Sequence, residues 1–190
     1  MKTLFTSLRI FLFFTILTGL LYPLFVTGIA QSIFPYKANG SLVVNNGKMA
    51  GSALIGQKFY SAKYFSSRPS ATDYNTISSG GSNLALNNKE LILSVESRKK
   101  SFLELNNLNR DITVPSEMLF SSASGLDPHI SYRSALLQAE RVAKARNYSL
   151  RQKLHLLQLI NKQRERPQYL LLGEDRVNVF LLNLKIDAII

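Results

Sequence analysis

The sequence predicts an α+β protein, with a single N-terminal transmembrane helix followed by one small soluble α+β domain. Three observations predict it. From Ile10 to Tyr36 the chain carries no Asp, Glu, Lys or Arg, and about 20 apolar helical residues cross a bilayer core. Residues 41–54 flank Asn45-Asn46-Gly47, a hairpin signature. Residues 88–106, 131–146 and 149–161 carry apolar side chains at helical spacing.

The elements follow in order. A lone segment in hydrocarbon satisfies its backbone only as a helix, so residues 10–30 form the core of the span. Residues 1–9 are then cytoplasmic and residues 37–190 form an extracytoplasmic α+β domain, because Lys2, Arg9 and the amino terminus outweigh Lys37 and Lys48. The run exceeds the length of a signal-peptide core, so it reads as a retained anchor. Thr15, Thr18, Gly19 and Gly28 are small positions where another helix can approach.

Lys37-Ala38-Asn39-Gly40 reads as a turn, residues 41–44 and 48–54 as strands. Residues 60–86 lose periodicity and fill with Ser, Gly, Asn, Pro and Thr; Tyr60, Tyr64, Phe65, Arg68 and Tyr74 argue that this long loop is packed. Asn88 caps a helix with Leu91, Ile92, Val95, Phe102 and Leu103 on one stripe. Pro115 opens a short helix over residues 116–120, and residues 121–129 form a loop. The helix over residues 131–146 turns Ala135, Leu136, Ala139, Val142 and Ala143 inward. The next opens on a Ser149/Gln152 capping box and buries Leu150, Leu154, Leu157 and Ile160 or Asn161. Residues 169–172 read as a strand, and residues 177–190 as a closing segment with Phe180, Leu181, Leu184 and Ala188 at helical spacing.

The formal net charge is +11. A basic balance suits anionic lipid, nucleic acid or an acidic partner, or is only a soluble, well-charged surface; the scattered charges favour that last reading or an acidic protein partner. Its densest cluster, Lys144, Arg146, Arg151, Lys153, Lys162, Arg164 and Arg166, lacks the interleaved aromatics of a nucleic-acid platform. The absence of cysteine excludes disulfides, thiolate catalysis and Cys-ligated metals. His129 and His155 alone exclude a multi-histidine site. No metal and no catalytic residue is expected.

Several motifs tempt. Gly51-Ser52-Ala53-Leu54-Ile55-Gly56-Gln57-Lys58 resembles a phosphate loop, but Gln57 and Phe59 stand where Lys and a hydroxyl belong. Residues 78–83 could offer backbone N–H groups to an anion. Ser124, Asp127 and His129 invite a hydrolase reading, without the elbow such a serine needs. Asp127-Pro128 suits a turn, and Arg68-Pro69-Ser70 is either a structural tie or a partner contact. Asn39-Gly40-Ser41 and Asn147-Tyr148-Ser149 fit the glycosylation pattern, which matters only in a eukaryotic secretory pathway.

Ordered blocks then carry a resemblance: Asn39-Gly40-Ser41-Leu42; Gly51 to Gln57; Tyr64-Phe65-Ser66-Ser67-Arg68-Pro69-Ser70-Ala71; Ser79-Gly80-Gly81-Ser82-Asn83-Leu84; Val114-Pro115; Ser122 to Ser131; Arg141 to Asn147; and Val177-Asn178. The chain resembles the C subunits of the Kdp potassium-transporting ATPases. That resemblance implies a single-span accessory subunit of a bacterial inner-membrane complex, needed for assembly and activity. Its implied partners are a channel-like potassium-binding subunit and a P-type ATPase subunit. An alternative family role is a chaperone that binds ATP together with the ATPase subunit. Long ordered loops commonly carry function, so Arg68, Ser70, Asn83, Ser124, Asp127 and His129 are the expected partner-contact residues.

Overall fold

The computed structural model describes residues 1–45 and 47–189. It separates into two compact units, Met1–Ser52 and Ala53–Ile190, and its elements are helices with two small sheets.

The first unit opens with α1 (Lys2–Ile16), a π-helical turn (Leu17–Leu21) and α2 (Tyr22–Ile33). Together they make one 32-residue helix, Lys2–Ile33, whose most apolar 18-residue window has mean hydropathy 2.1 and no buried residue. It is longer at both ends than the predicted core, taking in Lys2 and Arg9. The π turn has a local cause. Pro23 has no N–H and its ring crowds the carbonyl four residues back, at Gly19. The helix widens there, and the N–H of Tyr22 donates to Leu17 O instead. Hydroxyls of Thr6, Ser7, Thr18 and Ser32 donate to carbonyls one turn back at 2.6–3.0 Å, which hides polar groups that hydrocarbon would penalise.

One further helical turn, α3 (Pro35–Ala38), leads into the predicted turn, closed by Gly40 N–H on Lys37 O. Gly40 sits at φ +81°, a conformation glycine adopts freely. β1 (Leu42–Asn45) and β2 (Lys48–Ser52) pair antiparallel with a bulge at Val43/Val44. Of the predicted Asn45-Asn46-Gly47 turn, Asn46 lies outside the described residues, and Gly47 takes φ +75°.

The second unit is built on α4 (Lys89–Leu105), α5 (Tyr132–Ala145), α6 (Leu150–Lys162) and α7 (Val179–Ile186). A small antiparallel sheet, ordered β3-β5-β4, joins β3 (His129–Ser131), β4 (Arg164–Glu165) and β5 (Arg176–Asn178). Local signals act as expected: Asn88 caps α4 and Ser149 with Gln152 forms the full capping box on α6. Phe65, Val142, Leu156, Ile160, Val177, Leu182 and Ile186 lie at the core's centre.

Four expectations change. Leu136, Leu150 and Leu154 are exposed, and α6 buries Leu156 beside Ile160. Leucine and isoleucine cover more than half of the α6 circumference, so the inward face is chosen within that arc by tertiary contact. Residues 169–172 form no strand: Tyr169 and Leu170 take φ +53° and +63°, and one bridge, Gln168 to Leu172, closes a tight tip. Tyr60 is exposed rather than packed. The closing helix starts at Val179, because Val177 and Asn178 are held in β5, and Ala188 is exposed beyond its end.

Residues 53–87 hold no regular element yet dip into the core at Phe65. Buried backbone needs partners, and three side chains supply them. Asn183 pairs with both N–H and C=O of Phe65 at 2.9 Å. Gln138 does the same for Ser66. Arg141 donates to Ala62 O, Tyr64 O, Asn106 Oδ1 and Gln138 Oε1. It is buried with neutral acceptors, and burial lowers its pKa to about 10.

Candidate functional site

The loop over residues 121–129 is the meeting point of the irregular chain. Gly56 donates to Leu126 O at 2.7 Å, Ser122 N–H reaches Pro69 O at 3.2 Å, and Gly80 N–H reaches Ser124 O at 3.0 Å. Ser79 Oγ shares that Ser124 carbonyl at 2.9 Å. The packing is close enough to require glycine. A Cβ on Gly56 would stand 2.8 Å from Asp127 O, and one on Gly125, at φ +69°, 2.7 Å from Thr72 Oγ1.

Arg68 joins this loop to its own segment. Its Nη1 donates to Asp127 Oδ2 at 2.9 Å. Asp127 Oδ1 accepts the His129 N–H at 2.9 Å and lies 3.4 Å from His129 Nδ1. Burial raises the Asp127 pKa, but bonds from His129 and the Arg68 guanidinium outweigh it and hold the carboxyl at about 2. The Arg68 carbonyl accepts the Tyr74 hydroxyl, and burial pushes that phenol up to about 12.

Of the six expected contact residues, the structure groups Arg68, Asp127 and His129 directly. Ser70 lies beside them as a local cap, its Oγ accepting the N–H groups of Thr72 and Tyr74. Ser124 is exposed on the same loop, with Oγ accepting from Leu126 N–H at 3.1 Å. Asn83 is exposed in left-handed backbone, two residues beyond the contact of Gly81 with Ala123. The hydrolase arrangement is not assembled: the second imidazole nitrogen of His129 faces Glu165 at 3.9 Å, not Ser124. The N–H groups of Gly56 and Gly80 are spent on carbonyls, so neither is offered to an anion.

Arg68, Asp127 and His129 form a wall between two clefts. One, of about 590 Å³, is mostly apolar, lined by Leu54, Ile55, Ala123, Leu126 and Pro128. The other, of about 530 Å³, is charged, with Glu117, Arg166, Glu174, Asp175 and Arg176. Its carboxylates offset its guanidiniums, so it offers a polyphosphate no strong positive field. Among the described residues no group of three His, Cys, Asp or Glu is placed to hold a metal ion.

Sequence reasoning missed the far wall of that cleft. Arg176 donates to Glu165 at 2.9 Å, and Arg164 pairs with Asp175. The signal was present as Arg-Glu-Arg at 164–166 facing Glu-Asp-Arg at 174–176, the charge pattern of a hairpin stem. The basic cluster is partly structural too. Arg146 binds Lys63 O and Asp187 and lies 4.9 Å from the Tyr64 ring centroid, and Lys153 pairs with Glu140.

The family model described as "K+-transporting ATPase, c chain" matches residues 4–188. A potassium-transporting ATPase KdpC subunit of Leptospira interrogans is 46% identical over 182 residues, covering 96% of this chain and 92% of that protein. The KdpC subunit of Photorhabdus laumondii is 46% identical, covering 96% and 94%. That of Mycobacterium tuberculosis is 44% identical, covering 99% of each. The chain belongs to the KdpC family, the C chains of potassium-transporting ATPases.

Proposed function

We propose that this chain is an accessory, non-catalytic subunit of a P-type, ATP-driven, high-affinity potassium import complex, needed for the assembly, stability and activity of that complex. Its relatives are named as subunits of a potassium-transporting ATPase. Residues 10–30 of the helix Lys2–Ile33 anchor it in the inner membrane of a bacterium, with residues 1–9 cytoplasmic and residues 37–190 extracytoplasmic. Lys2 and Arg9 at the helix start support that orientation.

The observation that carries the reading is the face around Arg68, Asp127 and His129. Four separate stretches of irregular chain are fixed there by backbone bonds, an ion pair and two obligatory glycines. Ordered loops of this kind are recognition surfaces. The assembled side chains bind one another and lack a nucleophile beside a base. The face therefore contacts the channel-like potassium-binding subunit or the P-type ATPase subunit. The test is Arg68→Ala combined with Asp127→Ala in the complete complex. Loss of co-purification and of potassium-stimulated ATPase activity is expected. A full set of subunits with full potassium stimulation would end the reading.

A further inference from the structure

The hairpin over residues 164–176 has a use that the Arg68 face does not explain. Its stem is stiff. Cross-strand pairs join Arg164 to Asp175 and Arg176 to Glu165, and the Arg164 guanidinium lies 4.7 Å from the Tyr132 ring centroid at the start of α5. The turn is closed by bonds between Gln168 and Leu172 in both directions at 2.9 Å. At the tip, Tyr169, Leu170, Leu171 and Leu172 are 88%, 75%, 85% and 63% exposed. Lone exposed apolar residues are ordinary, but four in succession are not.

Two of these four, Tyr169 and Leu170, hold positive φ, backbone that side chains with a Cβ avoid. The fold thus holds a strained turn that displays apolar side chains to solvent, which is preorganisation for a shaped receptor. The charge pattern identifies the class of receptor. Arg164, Arg166 and Arg176 are matched by Glu165, Glu174 and Asp175, so the hairpin brings no net cation to an anionic lipid surface. Its four apolar side chains would meet lipid with no basic rim to hold them at anionic headgroups. A protein socket needs shape and apolar walls, and a neutral stem suits its polar rim.

We infer that residues 169–172 are a peg that seats in an apolar socket on another subunit of the same ATPase, on the side of the membrane that holds the second unit. This rests on the accessory-subunit reading. The chain has no cysteine, so a single introduced thiol reports on the tip alone. Leu171→Cys, with Tyr169→Cys as a second reporter, is compared with Leu150→Cys, which is 76% exposed at the start of α6, outside the hairpin and the Arg68 face. Each is treated with a membrane-impermeant maleimide in the purified complex and in the chain expressed without its partners. Both tip thiols should react at least ten-fold more slowly in the complex, and Leu150→Cys equally fast in both. A benzophenone carried on Leu171→Cys should crosslink to another subunit.

Equal, fast labelling of the tip in a complex that has kept this chain overturns the peg and leaves the accessory reading standing. Equally slow labelling in both samples, or a crosslink to lipid or to a second copy, also overturns it. Failure of the unsubstituted chain to co-purify with any ATPase subunit removes both readings together.

Discussion

Arg68 and Asp127, 59 residues apart in the chain, meet at 2.9 Å in a partly buried ion pair. Each residue has a second duty. Asp127 also receives the His129 N–H, and the Arg68 segment is held through the Tyr74 hydroxyl on its own carbonyl. The pair therefore fixes the conformation of two loops, and its loss opens both.

The pair makes stability depend on acid. The folded Asp127 carboxyl titrates at about 2, below its ordinary value of 3.8. A depressed folded pKa means that the unfolded chain binds the proton first as pH falls. The contribution is thus complete above about pH 4 and is lost as pH falls from there toward 2. Its size is about 2 kcal/mol. Asp127→Asn should unfold at lower temperature than the parent chain at pH 6, and the gap should close by pH 2. A thermal-melt difference that stays constant over this range would refute the assignment.

Gly56 and Gly125 make a steric prediction. In Gly56→Ala the new methyl meets the backbone oxygen of Asp127 at 2.8 Å, and backbone cannot swing aside. In Gly125→Ala the new methyl meets the Thr72 hydroxyl at 2.7 Å and the Gly80 backbone oxygen at 3.0 Å, and φ +69° adds strain. Each should cost about 1–3 kcal/mol. Gly80→Ala, where the same methyl meets nothing within 4 Å, should stay within about 0.5 kcal/mol. Urea midpoints of the three variants decide the order.

Arg141 sets a larger effect. Removing its guanidinium strands Asn106 Oδ1 in the interior and leaves the partly buried carbonyls of Ala62 and Tyr64 without their donor. Each orphaned acceptor costs about 1–3 kcal/mol, so Arg141→Ala should leave little folded protein at 37 °C. Arg141→Lys should recover only part, since one ammonium cannot span the fork. Protease resistance of the residue 60–66 segment is the readout, and a resistant Arg141→Ala chain would show that the bonds are dispensable.

These cases show what a linear reading can and cannot see. The Asn88 cap, the Ser149/Gln152 box and the hairpin at residues 42–52 depend on neighbours a few residues away, and all were legible. Arg68 and Asp127 were singled out by their place in long polar loops, and their meeting needed the fold. Arg141, Gln138 and Asn183 were invisible as core residues, because polar side chains inside helices read as solvent-facing until a distant backbone claims them. The 169–172 tip failed for the converse reason. Four apolar residues in succession suit a strand by composition, and only the left-handed turn at Tyr169 and Leu170 makes them a tip.

The anchor yields a prediction that separates folding from assembly. Thr15, Thr18 and Gly19 share one face by i, i+3, i+4 spacing, while Gly28 lies beyond the π turn, which shifts the helical phase. All four are exposed in the chain alone, and a Cβ at Gly19 or Gly28 meets nothing within 4 Å. Bulk at these positions therefore costs the isolated chain nothing sterically and acts only on a helix that packs against them. Gly19→Ile should leave membrane insertion and the melting of the second unit unchanged, yet lower recovery of the complex several-fold, because close helix approach depends on small residues. Phe25→Ile, on an exposed large position of the same helix, is the control for side-chain shape alone. Equal recovery of the complex with Gly19→Ile, Gly28→Ile and Phe25→Ile would show that these two small positions of the helix meet only lipid.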